Sequence, residues 1–174
     1  RVAFIVDVSF SSREKTREGL TICPVSIILP IDTIKISNEY EGVPVRVIAS
    51  SAFAYNKDIQ SVIIPDSVKN IGQNAFYGCT NLTSIVILDG VNNIEKSAFT
   101  GCTNITSITF PDSVISIGGD AFSGCSNLTS IAISENVTSI GENAFNKTGY
   151  YNNNINWEND VLYIGSYLIV ANTS

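Results

Sequence analysis

Residues 107–131 read SITFPDSVISIGGDAFSGCSNLTSI, and the same string stands two periods earlier as SVIIPDSVKNIGQNAFYGCTNLTSI over residues 61–85. Working outward from these runs, Ala-Phe recurs at 52–53, 75–76, 98–99, 121–122 and 144–145, each step being 23 residues. The other apolar positions keep that register. Ile59, Leu82, Ile105 and Leu128 form one column, Val62, Ile85, Ile108 and Ile131 another, and Ile64, Ile87, Phe110 and Ile133 a third. Further columns run Val45, Val68, Val91, Val114, Val137 and Ile48, Ile71, Ile94, Ile117, Ile140, with a cysteine column at Cys79, Cys102 and Cys125. A fixed period of this length is the mark of a solenoid, because one such unit cannot bury its own apolar side and must stack on copies of itself.

Each unit divides into three pieces. The first, such as Leu82-Thr-Ser-Ile-Val-Ile87, alternates apolar and polar residues and predicts a half-buried strand in a parallel ladder. Pro65 and Pro111 end that strand, since proline offers no N–H. The second piece, such as Val114-Ile-Ser-Ile117-Gly118, is short and extended, and Gly72, Gly118 and Gly141 mark a corner where positive φ is expected. The third, Ala-Phe-x-x-Cys, is expected to form a 3-10 or single helical turn, being too short for a free helix. The phenylalanine column, Phe53 to Phe145, should stack as a spine on the side opposite the main sheet.

A solenoid must also cover its ends. Three zones follow: an N-terminal β cap over 1–33, repeats over 34–150, and a C-terminal loop and β-hairpin over 151–174. In the first, the alternating run 2–10 and the apolar run 20–29 are expected to pair as a hairpin, with the charged stretch 13–18 as a solvated turn. In the last, YYNNNINW reads as an Asn-rich loop and VLYIGSYLIVAN as a hairpin about Gly165-Ser166. The chain does not begin with Met and is expected to be a processed product or a fragment, with 151–174 a link to further repeats.

Composition removes whole classes of function. The 174 residues contain no histidine, so no Ser-His, Cys-His or His-metal arrangement exists. The net charge of -6 with few charged residues argues against nucleic acid and anionic membrane as partners. No stretch is apolar for the roughly 18 residues a membrane span needs. Paired carboxylates, a nucleophile beside a base and phosphate-cradling loops are all missing, so no catalytic residue and no cofactor is expected.

The recurring I-P-D-S-V-x-x-I-G-x-x-A-F-x-G-C-x-x-L string resembles the BspA-type leucine-rich repeat over about residues 34–146. That resemblance implies a right-handed, curved, β-rich leucine-rich-repeat solenoid with a parallel sheet on one face and short turns and extended segments on the other. It also implies the setting of a bacterial or protozoan surface protein and adhesion to host or matrix proteins. The first unit departs by five extra residues between Ile36 and Ile64, with a Glu41-Gly42 turn like the opening unit of such arrays. The unit at 82–104 has Ile87-Leu-Asp-Gly90 and Ile94-Glu95 in place of I-P-D-S and I-G.

The candidate binding surface is the outward side of the main strands: Ser61, Ser84, Ser107 and Ser130 in one column, Ile63, Val86, Thr109 and Ala132 in the other. It is small, uncharged and free of large aromatics, suiting a protein surface or a glycan. Asp66, Asp89, Asp112 and Glu135 also stack; they could offer oxygens to a divalent cation or, as Asp after Pro, bond their own backbone in a turn. The second reading accounts for P-D-S, and no metal is expected. The cysteines lack metal-ligand spacing and are expected to be buried free thiols, with Cys23 under the cap. Sequons occur at Asn81, Asn104, Asn127, Asn136, Asn146 and Asn172, mostly as by-products of T-N-L-T-S. The expected role is an extracellular or cell-surface, non-catalytic protein-binding module. The alternatives are a spacer that self-associates or presents another domain, and an accessory domain of a larger secreted enzyme.

Overall fold

A computed structural model describes the backbone at residues 2–5, 14–16, 19–22, 33–40, 42–159 and 161–171, and side chains at 33–40, 42–159 and 161–169. The 23-residue unit closes into one coil of a β-solenoid. The alternating piece of each coil forms a strand whose apolar residues point inward: Ser61–Ile64, Ser84–Ile87, Ser107–Thr109 and Ser130–Ala132. Parallel pairing joins Thr33–Ile36 to Ser61–Ile64 and the latter to Ser84–Ile87, and separately Ser107–Thr109 to Ser130–Ala132. The main sheet is thus divided between Ser84–Ile87 and Ser107–Thr109. Phe110 takes the place of Ile87 and Ile64 at that step. Its ring turns edge-on to Phe122 and Phe145, with centroids 5.5 and 6.3 Å apart.

A second parallel ladder is continuous. Asn70–Ile71, Asn93–Ile94, Ser116–Ile117 and Ser139–Ile140 pair in exact 23-residue register, and Val43–Ile48 joins at one edge. Gly72, Gly118 and Gly141 follow these strands, but the expectation of positive φ there is corrected. A Cβ on Gly118 would lie 2.6 Å from the Glu95 carbonyl carbon, and one on Gly72 the same distance from Ile48 O. The glycines are needed for close approach of backbones, not for handedness.

Positive φ sits instead in the Ala-Phe turn, at Ser51, Asn74, Ser97, Asp120 and Asn143, and again four residues on at Tyr55, Gly78, Gly101, Gly124 and Lys147. This corrects the second expectation, a 3-10 or helical turn. Alternate N–H groups bond within the coil (Ala75 N to Gly72 O, Tyr77 N to Asn74 O, Cys79 N to Phe76 O). Those between them reach the next coil (Asn74 N to Lys96 O, Phe76 N to Ala98 O, Gly78 N to Thr100 O). A helix would consume every N–H locally. Sharing them makes a third inter-coil ladder.

The core runs the length of the coils. Phe53, Phe76, Phe99, Phe122 and Phe145 stack with centroids 5.0, 5.1, 5.1 and 5.7 Å apart, as the spine that the sequence predicts. Cys79, Cys102 and Cys125 are free, fully buried thiols. Each donates to the phenylalanine carbonyl one coil back: Phe53 O and Phe76 O at 3.1 Å, and Phe99 O at 3.2 Å. The column demands a small, mostly apolar donor, which a thiol supplies. Thr148, at the same position in the last coil, is buried and donates to Phe145 O. Cys23 lies outside the described residues.

The ends are capped, though at the N terminus not as expected. Among the described residues, Val2–Ile5 adds a parallel strand beside Thr33–Ile36 and not beside residues 20–22; the rest of the 20–29 run lies outside them. Glu14–Thr16, within the charged stretch, pairs antiparallel with Gly19–Ile22, and the latter lies parallel to Val43–Ile48. Alternation in 2–5 is that of a repeat strand, so an open parallel edge satisfies it better than a sequence neighbour does. The five extra residues of the first unit are absorbed by Glu39–Tyr40, which folds back antiparallel on Val43–Ile48. At the other end Val161–Ile164 and Tyr167–Ala171 pair about Gly165-Ser166 as predicted, and Trp157–Glu158 joins them as a third strand. The Asn-rich stretch is therefore not all loop: it holds a 3-10 turn, Asn154–Asn156, capped by the Asn153 side chain.

Candidate functional site

The outward columns of the main sheet lie as expected. Ser61 pairs with Ser84 and Ile63 with Val86; Ser107 pairs with Ser130 and Thr109 with Ala132. Ser61 and Ile63 are half-buried and the other six are exposed. The face extends further than those eight residues. Thr33 and Lys35 stand in register with Ser61 and Ile63, a continuation legible in the alternation Ile34-Lys-Ile36. Leu88, where neighbouring coils have proline, adds an apolar residue 43% exposed beside Val86 at 42%. The centre is therefore a short aliphatic strip flanked by hydroxyls, with Lys35 at one end.

Two of the four acids, Asp89 and Asp112, bond between coils and not to their own backbone, which corrects the turn reading for them. Asp89 Oδ1 accepts from Ser113 N at 3.2 Å, and Asp112 Oδ1 from Ser134 Oγ at 2.6 Å. Among the described residues no three His, Cys, Asp or Glu side chains converge as metal ligands. Three of the sequon asparagines are likewise clamps between coils. Asn81 Nδ2 donates to Lys57 O, Asn127 Nδ2 to Asn104 Oδ1 and Asn136 Nδ2 to Asp112 O. Asn172 lies outside the described residues.

Burial pushes the Cys125 thiol up to about 12, and the adjacent Cys79 thiol together with burial pushes Cys102 upward as well. The thiolate is the reactive form, so Cys102 and Cys125 are kept inert, while Cys79, whose thiol the Cys102 side chain pulls downward, is shielded by its complete burial. Because Cys125 has a folded value above its unfolded one, its contribution to stability is complete below about pH 9 and is lost as pH rises toward 12. Cys79, Cys102 and Cys125 are expected to resist a thiol reagent at pH 8 in the native chain and to react together once it is unfolded. Stoichiometric labelling under native conditions would contradict the burial.

Glu95, in the column otherwise held by Ala49, Gly72, Gly118 and Gly141, is the second departure with a structural role. Its carboxylate reaches back one coil, accepting from Asn70 Nδ2 at 2.6 Å on Oε1 and from the Gln73 N–H at 2.8 Å on Oε2.

The profile of the BspA type leucine rich repeat region matches residues 46–174, in six copies. The leucine rich repeat protein of T. pallidum is similar at 34% identity over 78% of this chain and 63% of that one, with a TM-score of 0.73. One from Bacteroides ovatus is similar at 29% identity over 72% of this chain and 34% of that one, with a TM-score of 0.54. A leucine rich cell surface protein from Faecalibacterium prausnitzii shares the fold at 22% identity, covering 90% of this chain and 55% of that one, with a TM-score of 0.52. The chain thus spans between about a third and two thirds of these relatives. No curated protein sequence matches it.

Proposed function

The chain belongs to the BspA-type leucine-rich-repeat family, and from that premise we propose that it is a non-catalytic, extracellular or cell-surface module that binds a protein through the face of its main sheet. The observation that carries the reading is the exposed pair Val86, in register with Ile63, and Leu88 just past the strand, beside the serine column of the sheet. Such a surface is flat and neutral, so it can meet a partner over an area without desolvating charges. The relative from Faecalibacterium prausnitzii is described as a cell surface protein, which agrees with a display setting. With no aromatic anchor on the strip, strength comes from area and repetition more than from single contacts.

The test places two guanidinium groups in the middle of the face. Ser84→Arg with Ser107→Arg, both exposed, should leave the melting temperature unchanged. Binding to immobilised extracellular-matrix proteins, measured by biolayer interferometry, should weaken at least about tenfold, or about 1.4 kcal/mol. Unchanged binding by the double variant would remove the sheet face from the reading. A second reading, end-to-end self-association, is favoured by Leu168 and Ile155, 60% and 89% exposed on the C-terminal cap. Light scattering on the same samples separates the two: a mass rising with concentration selects self-association, a constant one selects the partner.

A further inference from the structure

The side of the coil carrying the second ladder and the Ala-Phe turns holds two depressions. One, of about 470 Å³, is lined by Asn70, Gln73, Asn93, Glu95, Lys96 and Ser116 among others. The other, of about 120 Å³, is lined by Ser51, Ala54, Tyr55, Asn74 and Tyr77. They meet at one backbone: Ser51 N donates to Gln73 O at 2.8 Å, and Gln73 N donates to Glu95 Oε2 at 2.8 Å. Together they make one track, with an aromatic step at one end and planar amides and a carboxylate along the rest.

Both ends of the track are built by residues that depart from the repeat. Glu95 replaces a glycine and lines the larger depression, together with Gly118 of the next coil, whose backbone packs against that of Glu95. Tyr55 stands where the next three coils have Gly78, Gly101 and Gly124, and it adopts φ 60. The turn imposes positive φ at this column in every coil, Lys147 included, and a bulky residue there costs of order 1–3 kcal/mol. Tyr55 is 68% exposed. The ring covers Gly78, where a Cβ would lie 2.9 Å from Tyr55 Cδ1, and meets Tyr77 edge-on at 5.2 Å. Packing does not require this tyrosine, because glycine fits the same turn three times over.

We propose that this track is a saccharide-binding site distinct from the sheet face. A sugar ring presents one apolar C–H face and a rim of hydroxyls. An exposed tyrosine offers the flat apolar partner for the first, and Asn, Gln and carboxylate groups offer paired donors and acceptors for the second. Glu95 is already oriented by two bonds, so it can accept from ligand hydroxyls without first being ordered. Two adjoining depressions, one beside Tyr55 and one beside Glu95, suit a short oligosaccharide more than a single ring. The chain's net charge of -6 selects a neutral or N-acetylated sugar over a sulfated one.

Two substitutions toward the repeat's own residues test the site without threatening the coil. Tyr55→Gly removes the aromatic step and relieves its backbone; Glu95→Gly removes the carboxylate. Both should melt no lower than the parent by more than a few degrees. Chitotetraose, cellotetraose and an N-acetyllactosamine tetrasaccharide are titrated into the whole chain by isothermal calorimetry and saturation-transfer NMR. The expected result is binding of at least one of them with quenching of tyrosine fluorescence, weakened at least about tenfold by either variant and unaffected by Ser84→Arg with Ser107→Arg. Absence of binding to all three at millimolar concentration, or binding that survives both glycine variants, overturns the proposal. Preferential binding of heparin that falls with salt would also overturn it. Because the sheet-face pair leaves this site untouched, failure here and failure of the protein-binding reading are read separately.

Discussion

Gly90→Ala is expected to destabilise the chain by about 3 kcal/mol or more, although it adds a single methyl group. A Cβ at this position would stand 1.9 Å from the Asp66 carbonyl oxygen and 2.6 Å from its carbon. No rotamer relieves a clash with backbone, so the whole turn of the preceding coil must shift. The same column tolerates Ser67 and Ser113, and the reason lies two residues earlier. Leu88 has an N–H and donates it to Ile64 O at 2.9 Å, whereas Pro65 and Pro111 have none to give. That extra rung draws residues 88–90 against the turn above. Leu88→Pro combined with Gly90→Ser should therefore cost less than the sum of the two alone, by about 1 kcal/mol or more in a double-mutant cycle. Additive effects, or a Gly90→Ala variant melting like its parent, would contradict the coupling.

Phe99→Ala is expected to cost about 3–5 kcal/mol from the cavity alone. Its ring is fully buried and stacked on both sides, on Phe76 at 5.1 Å and 2° and on Phe122 at 5.1 Å and 15°. Aromatic pairs add roughly 0.5–1.5 kcal/mol each beyond area, and this substitution removes two. In a solenoid each coil is held by its neighbours, so losing a central ring weakens both interfaces of one coil. Thermal unfolding followed by circular dichroism should begin lower and broaden, because the two halves of the array no longer melt together. Phe53→Ala, with one stacked neighbour in Phe76 at 5.0 Å, should cost less and leave the transition sharp. Equal losses at Phe53 and Phe99 would show that the stack does not carry the coupling.

The period, the inward columns and the phenylalanine spine were legible because they depend on residue type at fixed spacing. An apolar residue every second position has one buried side, and a 23-residue repeat of such residues has one way to stack. The sheet face was legible for the same reason: once Val62 and Ile64 point in, Ser61 and Ile63 point out. The third ladder was not read, though a signal existed. Asn74, Asp120 and Asn143 followed four residues later by Gly78, Gly124 or Lys147 pair positions suited to positive φ. What these positions do depends on which coil receives each N–H, and no single unit contains that information. The N-terminal run was misassigned because alternation specifies a strand but not its partner, and the open edge beside Thr33–Ile36 exists only once the coils are stacked.

By itself, then, the sequence determined that this chain is a β-solenoid with buried Ile, Val, Phe and Cys columns and with its variable residues turned outward. It did so because burial periodicity is a local property of the covalent chain. Only the tertiary structure decided what the departures mean. Gly90 is held by the turn above it, Glu95 is aimed by Asn70 and Gln73, and Tyr55 lies across Gly78 and against Tyr77. Each depends on contacts about one coil away along the chain, and those distances become short only when one coil is laid on the next.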